Sequence, residues 1–330
     1  MFEGFARVWS VVALSEELGR AKPLGIELAG TPVVLFRDKE GRARALVDRC
    51  PHRGVKLSLG KVTDGCVECP FHGWKLDGEG HVCHVPWNPD AKLATLSGLA
   101  LPTREIAGQI FVYTDPFEAP SQEPMVDERL LAPGVRVSGF SIVWETHWSR
   151  AMENMLDWPH LPYVHRNTIG RGMRDASASA RMDITCDDRP WGFHSHVAID
   201  GKPQEGSLDL RWPNQMNLDL SGKGRFILNF VTCIPVDARR TRMLVAMGRD
   251  FLTPSWLDWV FNVANRKIAG EDKLVVESSF PVEIPAASEE QSARTDKPTL
   301  LFRKRYFAEL AGSRAGESEP SERRRALPVL

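Results

Sequence analysis

Two short motifs near the amino terminus combine cysteine and histidine at spacings that suit metal binding. Their sequences are Cys50-Pro51-His52-Arg53-Gly54 and Cys69-Pro70-Phe71-His72-Gly73-Trp74. Each offers one thiolate and one imidazole. Such a set fits either a tetrahedral zinc ion or a [2Fe-2S] cluster in which one iron takes both sulfurs and the other both imidazoles. Proline and glycine in both motifs favour tight turns whose amides can face sulfur, so we predict a cluster, with structural zinc as the alternative.

The two motifs resemble the Rieske cluster signature of the ring-hydroxylating, non-haem iron oxygenases. Rieske proteins of respiratory complexes carry an additional cysteine in each ligand loop, and these two cysteines form a disulfide. Here the corresponding loops hold no further thiol, as shown by Gly54, Val55, Phe71 and Trp74. The resemblance is therefore to the oxygenase branch, and it implies a [2Fe-2S] cluster with four protein ligands: Cys50, His52, Cys69 and His72.

A second group of chemically capable side chains lies just before the middle of the chain. Asn154, Asp157 and His160 are three residues apart, so they would share one face of a helical turn. The prolines after Asp157 would distort the helix and let His165 turn toward the same point. Two imidazoles beside an acid begin a two-His, one-carboxylate site for Fe(II). Taken alone, this spacing fits a pair of structural helix histidines at least as well.

The same spacing resembles the mononuclear iron motif of these oxygenases, and it lies downstream of the cluster motif in the expected order. The resemblance implies His160 and His165 as iron ligands, with Asn154 close to the iron. It also implies Asp272 as the third ligand, from a Glu-Asp-Lys stretch on the last long helix. Glu271 and Glu277 remain alternatives, and periodicity does not exclude a solvated charged turn.

The elements that must position the first motif read as β-structure. Residues 24–48 alternate and turn like short strands, and 105–113 is predicted as one further strand. The cluster loops would sit at the tips of a small antiparallel domain spanning residues 1–117. A proline-rich link over 115–133 follows.

The second half reads as a strand from Val137 to Trp148, a series of further β-runs up to residue 247, and a helix from Pro254 onward. The helix is predicted from apolar residues at three- and four-residue intervals: Trp256, Trp259, Val260, Val263, Ile268 and Val275. The resemblance implies a helix-grip (START-like) catalytic domain over 118–310. The whole is an α+β protein, and the polar tail, 311–330, is predicted to be mobile.

Some candidates are less specific. His194 and His196 would share one face of a strand, either at a pocket or at the surface. Asn229, Phe230 and Trp212 are candidates for pocket walls. The remaining cysteines are predicted to be reduced, buried thiols, namely Cys66, Cys83, Cys186 and Cys233.

Composition excludes several function classes. The 42 basic and 43 acidic residues nearly balance, so no polycation is offered to nucleic acid or to an anionic membrane. No apolar run approaches membrane-spanning length, and the acidic start does not fit a signal peptide. We predict a soluble, cytoplasmic protein. No dinucleotide- or nucleotide-binding glycine motif occurs, so NAD(P)H would act only through a separate reductase, with or without a ferredoxin.

The resemblance implies a function and an assembly. The chain is similar to the homotrimeric monooxygenase and demethylase branch, which includes vanillate and dicamba O-demethylase oxygenases. Such a protein would use O2 at Fe(II) to hydroxylate or demethylate an aromatic or polycyclic small molecule, dihydroxylation not being excluded. A head-to-tail trimer would place the cluster of one subunit beside the iron of the next, with Asp157 as the bridge between His160 and the neighbour's His72. The alternative is a Rieske electron carrier or ligand-binding protein without a catalytic second iron.

Overall fold

The computed structural model describes residues 1–171 and 173–311, so residues 312–330 of the polar tail lie outside it. Short strands dominate the first 113 residues: β1 (Trp9–Leu14), β2 (Leu24–Leu28), β3 (Thr31–Arg37), β4 (Ala43–Val47), β5 (Lys61–Thr63), β6 (Cys66–Glu68), β7 (Lys75–Leu76), β8 (Val82–His84), β9 (Ala100–Leu101), β10 (Thr103–Ile106) and β11 (Gln109–Tyr113).

These strands form three antiparallel sheets, ordered β1-β11-β10, β2-β3-β4-β9 and β5-β6-β7-β8. The prediction of one strand over 105–113 is wrong in its extent. Ala107 and Gly108 both have positive φ, 52° and 73°, and they form the two-residue turn that pairs Ile106 with Gln109. Such turns match the right-handed twist of the strands they join, which favours a hairpin over a continuous strand.

The second half contains the strands β12 (Arg136–Trp144), β13 (Met182–Arg189), β14 (Gly192–Ile199), β15 (Lys202–Pro203), β16 (Ser207–Arg211), β17 (Gln215–Asp219), β18 (Ile227–Pro235) and β19 (Thr241–Arg249). Its helices are α1 (Trp148–Leu156), α2 (Leu161–Val164), α3 (Arg174–Ser177), α4 (Asp258–Val276) and α5 (Lys297–Glu309). The strands form one antiparallel sheet in the order β12-β19-β18-β17-β16-β14-β13, with β15 paired to β14. The predicted α+β fold is thereby confirmed.

Helix α5 was not foreseen from the sequence, and it closes the core beside α1. Trp148 of α1 makes edge-to-face contacts with Phe5, Phe302 and Tyr306 at ring-centroid distances of 5.2, 6.0 and 5.4 Å. Such aromatic pairs each contribute about 1 kcal/mol beyond the apolar area that they bury. The amino terminus, α1 and α5 are therefore tied together around one side chain.

The long helix α4 was predicted correctly as a helix, but several of the apolar residues that supported the prediction do not lie on its buried face. Trp256 and Trp259, which supported the prediction, are 71% and 65% exposed. The buried residues of α4 are instead Asn265, Ala269, Asp272 and Val276. This face carries small and polar side chains because it lies against a cavity and a polar site, so apolar periodicity did not reveal it.

Backbone hydrogen bonds join the two halves of the chain. Ala29 and Gly30 donate to the carbonyl oxygens of Pro235 and Val236 at 2.7 and 2.8 Å. Gln215 Nε2 also donates to Gln109 Oε1 at 2.8 Å, within the buried interface. Over the described residues, no helix is both long enough and apolar enough to cross a membrane.

Candidate metal centres and cavity

The two cysteine–histidine loops have the same backbone construction. Cys50 N–H donates to Val55 O at 2.8 Å, and Gly54 N–H donates back to Cys50 O at 2.9 Å. In the second loop Cys69 makes the equivalent pair with Trp74 and Gly73, at 2.8 and 3.0 Å. Gly54 and Gly73 both have φ of +70°, a conformation that costs glycine little and other residues more. The shared turn therefore explains why glycine follows each ligand pair.

The side chains of these loops converge. Cys50 and Cys69 are buried, and the rings of His52 and His72 lie 4.7 Å apart between centroids. His52 also stacks on Trp74, with an interplanar angle of 1°. The buried Nδ1 atom of His52 has no hydrogen-bond partner, as expected of an atom that binds a group from outside the chain.

A single zinc ion fits this arrangement poorly. Among the described residues, one group of three His, Cys or acidic side chains brings its donor atoms within 4.8 Å of one another, and it is not in these loops. The ligands of one tetrahedral ion lie close together, whereas a cluster with two irons spreads its four ligands over a larger span. The four loop residues therefore suit a [2Fe-2S] cluster.

That group of three is His160, His165 and Asp272. Oδ1 of Asp272 lies 3.6 Å from Nε2 of His160 and 3.1 Å from Nε2 of His165. The carboxylate is 4% exposed, and its Oδ1 makes no hydrogen bond of acceptable geometry. Two imidazole nitrogens and one unpartnered, buried carboxylate oxygen could hold a metal ion, and this donor set is of the two-His, one-carboxylate type that suits Fe(II).

The local structure around the first of these histidines differs from the prediction. Helix α1 ends at Leu156, and Asp157 is extended, with φ −84° and ψ 137°. Asn154, Asp157 and His160 thus do not share one helical face. Instead, Oδ2 of Asp157 accepts from both the backbone N–H and Nδ1 of His160, at 2.9 and 3.0 Å. Asp157 turns the ring so that Nε2 faces Asp272.

Glu271 does the same for the second histidine. His165 Nδ1 donates to Glu271 Oε2 at 2.9 Å, and the hydroxyl of Thr168 donates to that oxygen at 2.6 Å. Burial lowers the pKa of His165, but the carboxylates of Asp272 and Glu271 outweigh it and hold the pKa above its usual value. Neither Glu271 nor Thr168 was assigned this role from the sequence, because the contact joins residues 106 apart along the chain.

The third candidate carboxylate lies elsewhere. Glu277 is 3.5 Å from Lys273 Nζ and accepts from the backbone N–H of Glu145 at 2.6 Å. These contacts use its carboxylate at the end of α4, outside the group of three. Of the three acids proposed from the sequence, only Asp272 directs an oxygen to both histidines.

A cavity of about 330 Å³ opens beside this site, between α4 and the large sheet. Its sheet wall is apolar and is formed by Met182, Val197, Leu208, Met216, Leu218, Val231, Met243 and Val245. No lysine or arginine occurs among the described residues that line it. A volume of this size fits a small organic molecule rather than a macromolecule.

A few polar groups interrupt the apolar wall. Asn154 and Asn229 line the cavity, and their Nδ2 and Oδ1 atoms, respectively, are buried without a hydrogen-bond partner. Phe230, on the next position of β18, is fully buried in the core rather than at the cavity. Trp212 packs on Phe302 at 6.2 Å between ring centroids and does not line this cavity. Of the three wall candidates, only Asn229 lies there.

His194 and His196 face away from the cavity, which β14 lines with Val197 and Ile199. His194 Nδ1 is 2.5 Å from Asp209 Oδ1, and His196 is exposed with Asp187 at 3.9 Å. Their rings are 4.2 Å apart. They form a polar pair on the outer face of the sheet.

Buried charges fix α1 beneath the site. Nη2 of Arg303 and Nη1 of Arg150 each donate a hydrogen bond to Glu153 Oε2 at 3.0 Å. Both arginines also donate to the carboxylate of Glu290. Burial raises the pKa of Glu153, and breaking one partner of such a buried pair typically costs about 3–5 kcal/mol. This network directly precedes Asn154 and Asp157, and it could not be predicted from the sequence because its members come from three separate segments.

The cysteines outside the loops were predicted to be buried, and this is wrong for Cys83, which is exposed. Cys186 and Cys66 are partly buried, and Cys233 is fully buried. Burial raises the pKa of Cys186 to about 11.

Two family models match the chain. Residues 8–98 match the Rieske [2Fe-2S] domain, and residues 144–311 match the vanillate O-demethylase oxygenase C-terminal domain. The second match alone covers just over half of the 330 residues. The two matches contain the cluster loops and the group of three, respectively.

Individual proteins agree with these matches. The chain is 29% identical to the oxygenase component of dicamba O-demethylase from Stenotrophomonas maltophilia, over 74% of this chain and 73% of that protein. It is 28% identical to chlorophyllide a oxygenase of Chlamydomonas reinhardtii, over 96% of this chain but 50% of that protein. The chain spans about half or less of the length of several curated relatives. The structure of NdmA from Pseudomonas putida CBB5 aligns with a TM-score of 0.76 and 25% identity, over 91% of this chain and 89% of that one.

Proposed function

We propose that this protein is an oxygenase component that acts on a small molecule. The premise is that the chain belongs to the Rieske oxygenases that have a C-terminal domain of the vanillate O-demethylase type. The resemblance noted from the two loop motifs is confirmed by these matches. The proposed reaction is hydroxylation or oxidative demethylation of an aromatic or polycyclic substrate, dihydroxylation being the remaining variant.

The observation that carries this proposal is the convergence of His160, His165 and Asp272 on the wall of an apolar cavity. An electron carrier has no use for a buried, unpartnered carboxylate oxygen beside two imidazoles and an enclosed substrate-sized space. When bound, the cluster would supply single electrons and the Fe(II) a coordination site for O2.

The chain's own residues prepare that chemistry. Asp157 and Glu271 bond the Nδ1 atoms of the two histidines, which leaves both Nε2 atoms facing Asp272. Such outer carboxylates fix ring orientation and raise ligand basicity. The apolar wall formed by the strands excludes water from the space where substrate would lie.

The cavity favours an uncharged substrate. No lysine or arginine occurs among the described lining residues, and Glu205 is one of them, so a carboxylate held away from the iron site would be desolvated without a counter-charge. Asn229 Oδ1 offers the unpartnered acceptor, which suits a hydroxyl or amide N–H of an otherwise apolar ring system. We propose a neutral, largely apolar molecule with one hydrogen-bond donor.

We further propose a head-to-tail homotrimer in the cytoplasm, served by a separate reductase with or without a ferredoxin. Its support is that His72 is exposed on the cluster domain and that Asp157 keeps about a quarter of its side chain exposed at a second surface depression. Asp157 would then bridge His160 to the His72 of a neighbouring subunit. We also propose the division into domains at residues 1–117 and 118–310.

Iron content and activity together test this function. Anaerobic reconstitution is expected to give three irons per chain, two in the cluster and one at the mononuclear site, and substrate-dependent O2 uptake with a surrogate reductase. A neutral aromatic panel is compared with its carboxylated analogues. Two irons per chain and no O2 uptake would instead identify an electron carrier.

A pair of variants localises the third iron. His165→Ala is expected to keep the cluster colour, bind two irons and lose O2 uptake, because it removes a buried donor. His196→Ala, on the outer face of the same domain, is the matched control and is expected to bind three. Equal iron content in the two variants would refute the assignment.

A further inference from the structure

Two thiols that no metal site uses lie against each other in the cluster domain. Cys66 on β6 and Cys83 on β8 are 17 residues apart, and their Sγ atoms are 3.2 Å apart. Strand β7 runs between β6 and β8, and a register irregularity at Lys75 and Leu76, where β7 meets β8, accompanies the approach of the two side chains. Each is a free thiol in this structure.

The pair is separate from the cluster ligands. Cys66 precedes Cys69 in a C-x-x-C sequence, yet its thiol neighbour is Cys83, whereas Cys69 is the thiol neighbour of Cys50. The C-x-x-C spacing therefore does not mark a thiol pair. The pairing of the two thiols depends on the sheet, in which β6 and β8 lie on either side of β7.

The two thiols differ in access. Cys83 is exposed and Cys66 is partly buried, so a dissolved oxidant meets Cys83 first. Burial and the neighbouring Cys83 thiol raise the pKa of Cys66 to about 12. An accessible thiol beside a second, shielded thiol is the arrangement in which oxidation of the first is resolved by the second.

We propose that Cys66 and Cys83 form a reversible disulfide site that is closed by hydrogen peroxide. The Cys83 sulfur attacks peroxide, which forms an S–O bond, breaks the O–O bond and releases water, leaving a sulfenic acid. The Cys66 sulfur then attacks that sulfur, forming the S–S bond and releasing a second water. Two thiols are oxidised by two electrons, and peroxide is reduced to two waters; a dithiol reductant reverses the step by exchange.

The site is placed to act on the second cluster loop. Strand β6 ends at Glu68, the residue before Cys69. Pro86, which follows β8, lies close to Gly73 at the other end of the loop, because a Cβ atom added to Gly73 would lie 3.1 Å from Cγ of Pro86. A bond between Cys66 and Cys83 joins the strand that leads into this loop to the strand that precedes its contact at Pro86. The oxidised protein is therefore expected to hold its cluster longer than the reduced one. None of this depends on the mononuclear iron or on the proposed reaction.

Peptide mapping tests the linkage in the full-length protein with its cluster bound. The protein is treated with one equivalent of peroxide, alkylated and digested, with and without later reduction by dithiothreitol. The expected result is a peptide pair joining Cys66 to Cys83, lighter by two hydrogens and separated by dithiothreitol. Cys83→Ser should abolish it, and Cys186→Ser, which removes an isolated thiol, should leave it unchanged. Sulfinic acid at Cys83 with Cys66 still alkylatable would overturn the proposal.

Loss of visible cluster absorbance in excess chelator tests the consequence. Peroxide-treated protein is expected to lose absorbance several-fold more slowly than untreated protein, and Cys83→Ser should lose it at one rate regardless of treatment. Equal rates for oxidised and reduced wild-type protein would overturn the inference that the bond braces the loop.

Discussion

Nδ1 of His165 donates a hydrogen bond to Oε2 of Glu271 at 2.9 Å, while Nε2 of the same ring faces Asp272 at 3.1 Å. Two adjacent acids of one helix thus contact opposite sides of one imidazole. Asp272 is the candidate ligand, and Glu271 fixes the ring and its tautomer. These contacts exclude the alternative that residues 271–272 form only a solvated charged turn.

Glu271→Ala is expected to weaken binding at the mononuclear site without unfolding the protein. Removing an outer carboxylate of this kind typically lowers metal affinity by about 10- to 100-fold. Competition with a chelator of known affinity measures it, with the cluster spectrum as an internal check. Glu277→Ala, on the same helix but outside the site, should retain wild-type affinity. Equal affinities in the two variants would contradict the role.

Asp157→Asn is expected to leave both metal sites filled and nearly abolish turnover. Asp157 accepts two hydrogen bonds from His160, and an amide keeps the shape of the side chain but loses the charge that orients the ring. A fall in turnover of about 100-fold or more is expected, by analogy with other carboxylates that fix a functional histidine. Steady-state O2 uptake and iron content are measured together. Normal turnover with three irons would refute the bridge.

Asn229→Leu is expected to act on substrate recognition and not on the metal. Its Oδ1 atom is the unpartnered acceptor in the cavity wall, so the variant should raise KM about tenfold for substrates that donate a hydrogen bond there. Analogues without that donor should bind equally well to both proteins. A uniform loss of affinity for both kinds of substrate would show that the cavity had collapsed instead.

Asp258 should make stability depend on pH in the acidic range. Burial raises its pKa, but hydrogen bonds from Arg136 and Arg249 outweigh burial and hold the pKa below its usual value. Because the folded pKa is depressed, this stabilisation is fully present above the usual carboxyl range, about pH 4, and is lost as pH falls through the lowered value. Acid should therefore loosen the start of α4 from β12 and β19.

Asp258→Asn is expected to cost about 2 kcal/mol at neutral pH, since Arg249 is fully buried, and to flatten the acid dependence. Urea unfolding followed across that pH range measures both effects. Asp90→Asn changes an exposed aspartate and should alter neither. An unchanged acid limb in Asp258→Asn would show that other carboxylates control it.

The cluster loops could be predicted from the sequence because their determinants are local. In each loop the two ligands, the glycine at φ +70° and the closing hydrogen bonds fall within six consecutive residues. The sheets around them followed from alternation. The contact between the His160 ring and Asp157 could also be predicted, because the two residues are only three apart in the chain.

The tertiary structure distinguished Asp272 from its two alternatives, and it alone decided which face of α4 is inner and which thiols touch. Asp272 and Glu271 are chain neighbours whose side chains leave the helix in different directions, so their roles depend on how α4 is rotated against the sheet. Trp256 and Trp259 contributed to the apolar periodicity but are exposed to solvent, because the opposite face of α4 lines the cavity. Cys66 and Cys83 meet only through strand pairing. Tight turns are determined by consecutive residues, whereas these contacts depend on packing between segments that are distant in the chain.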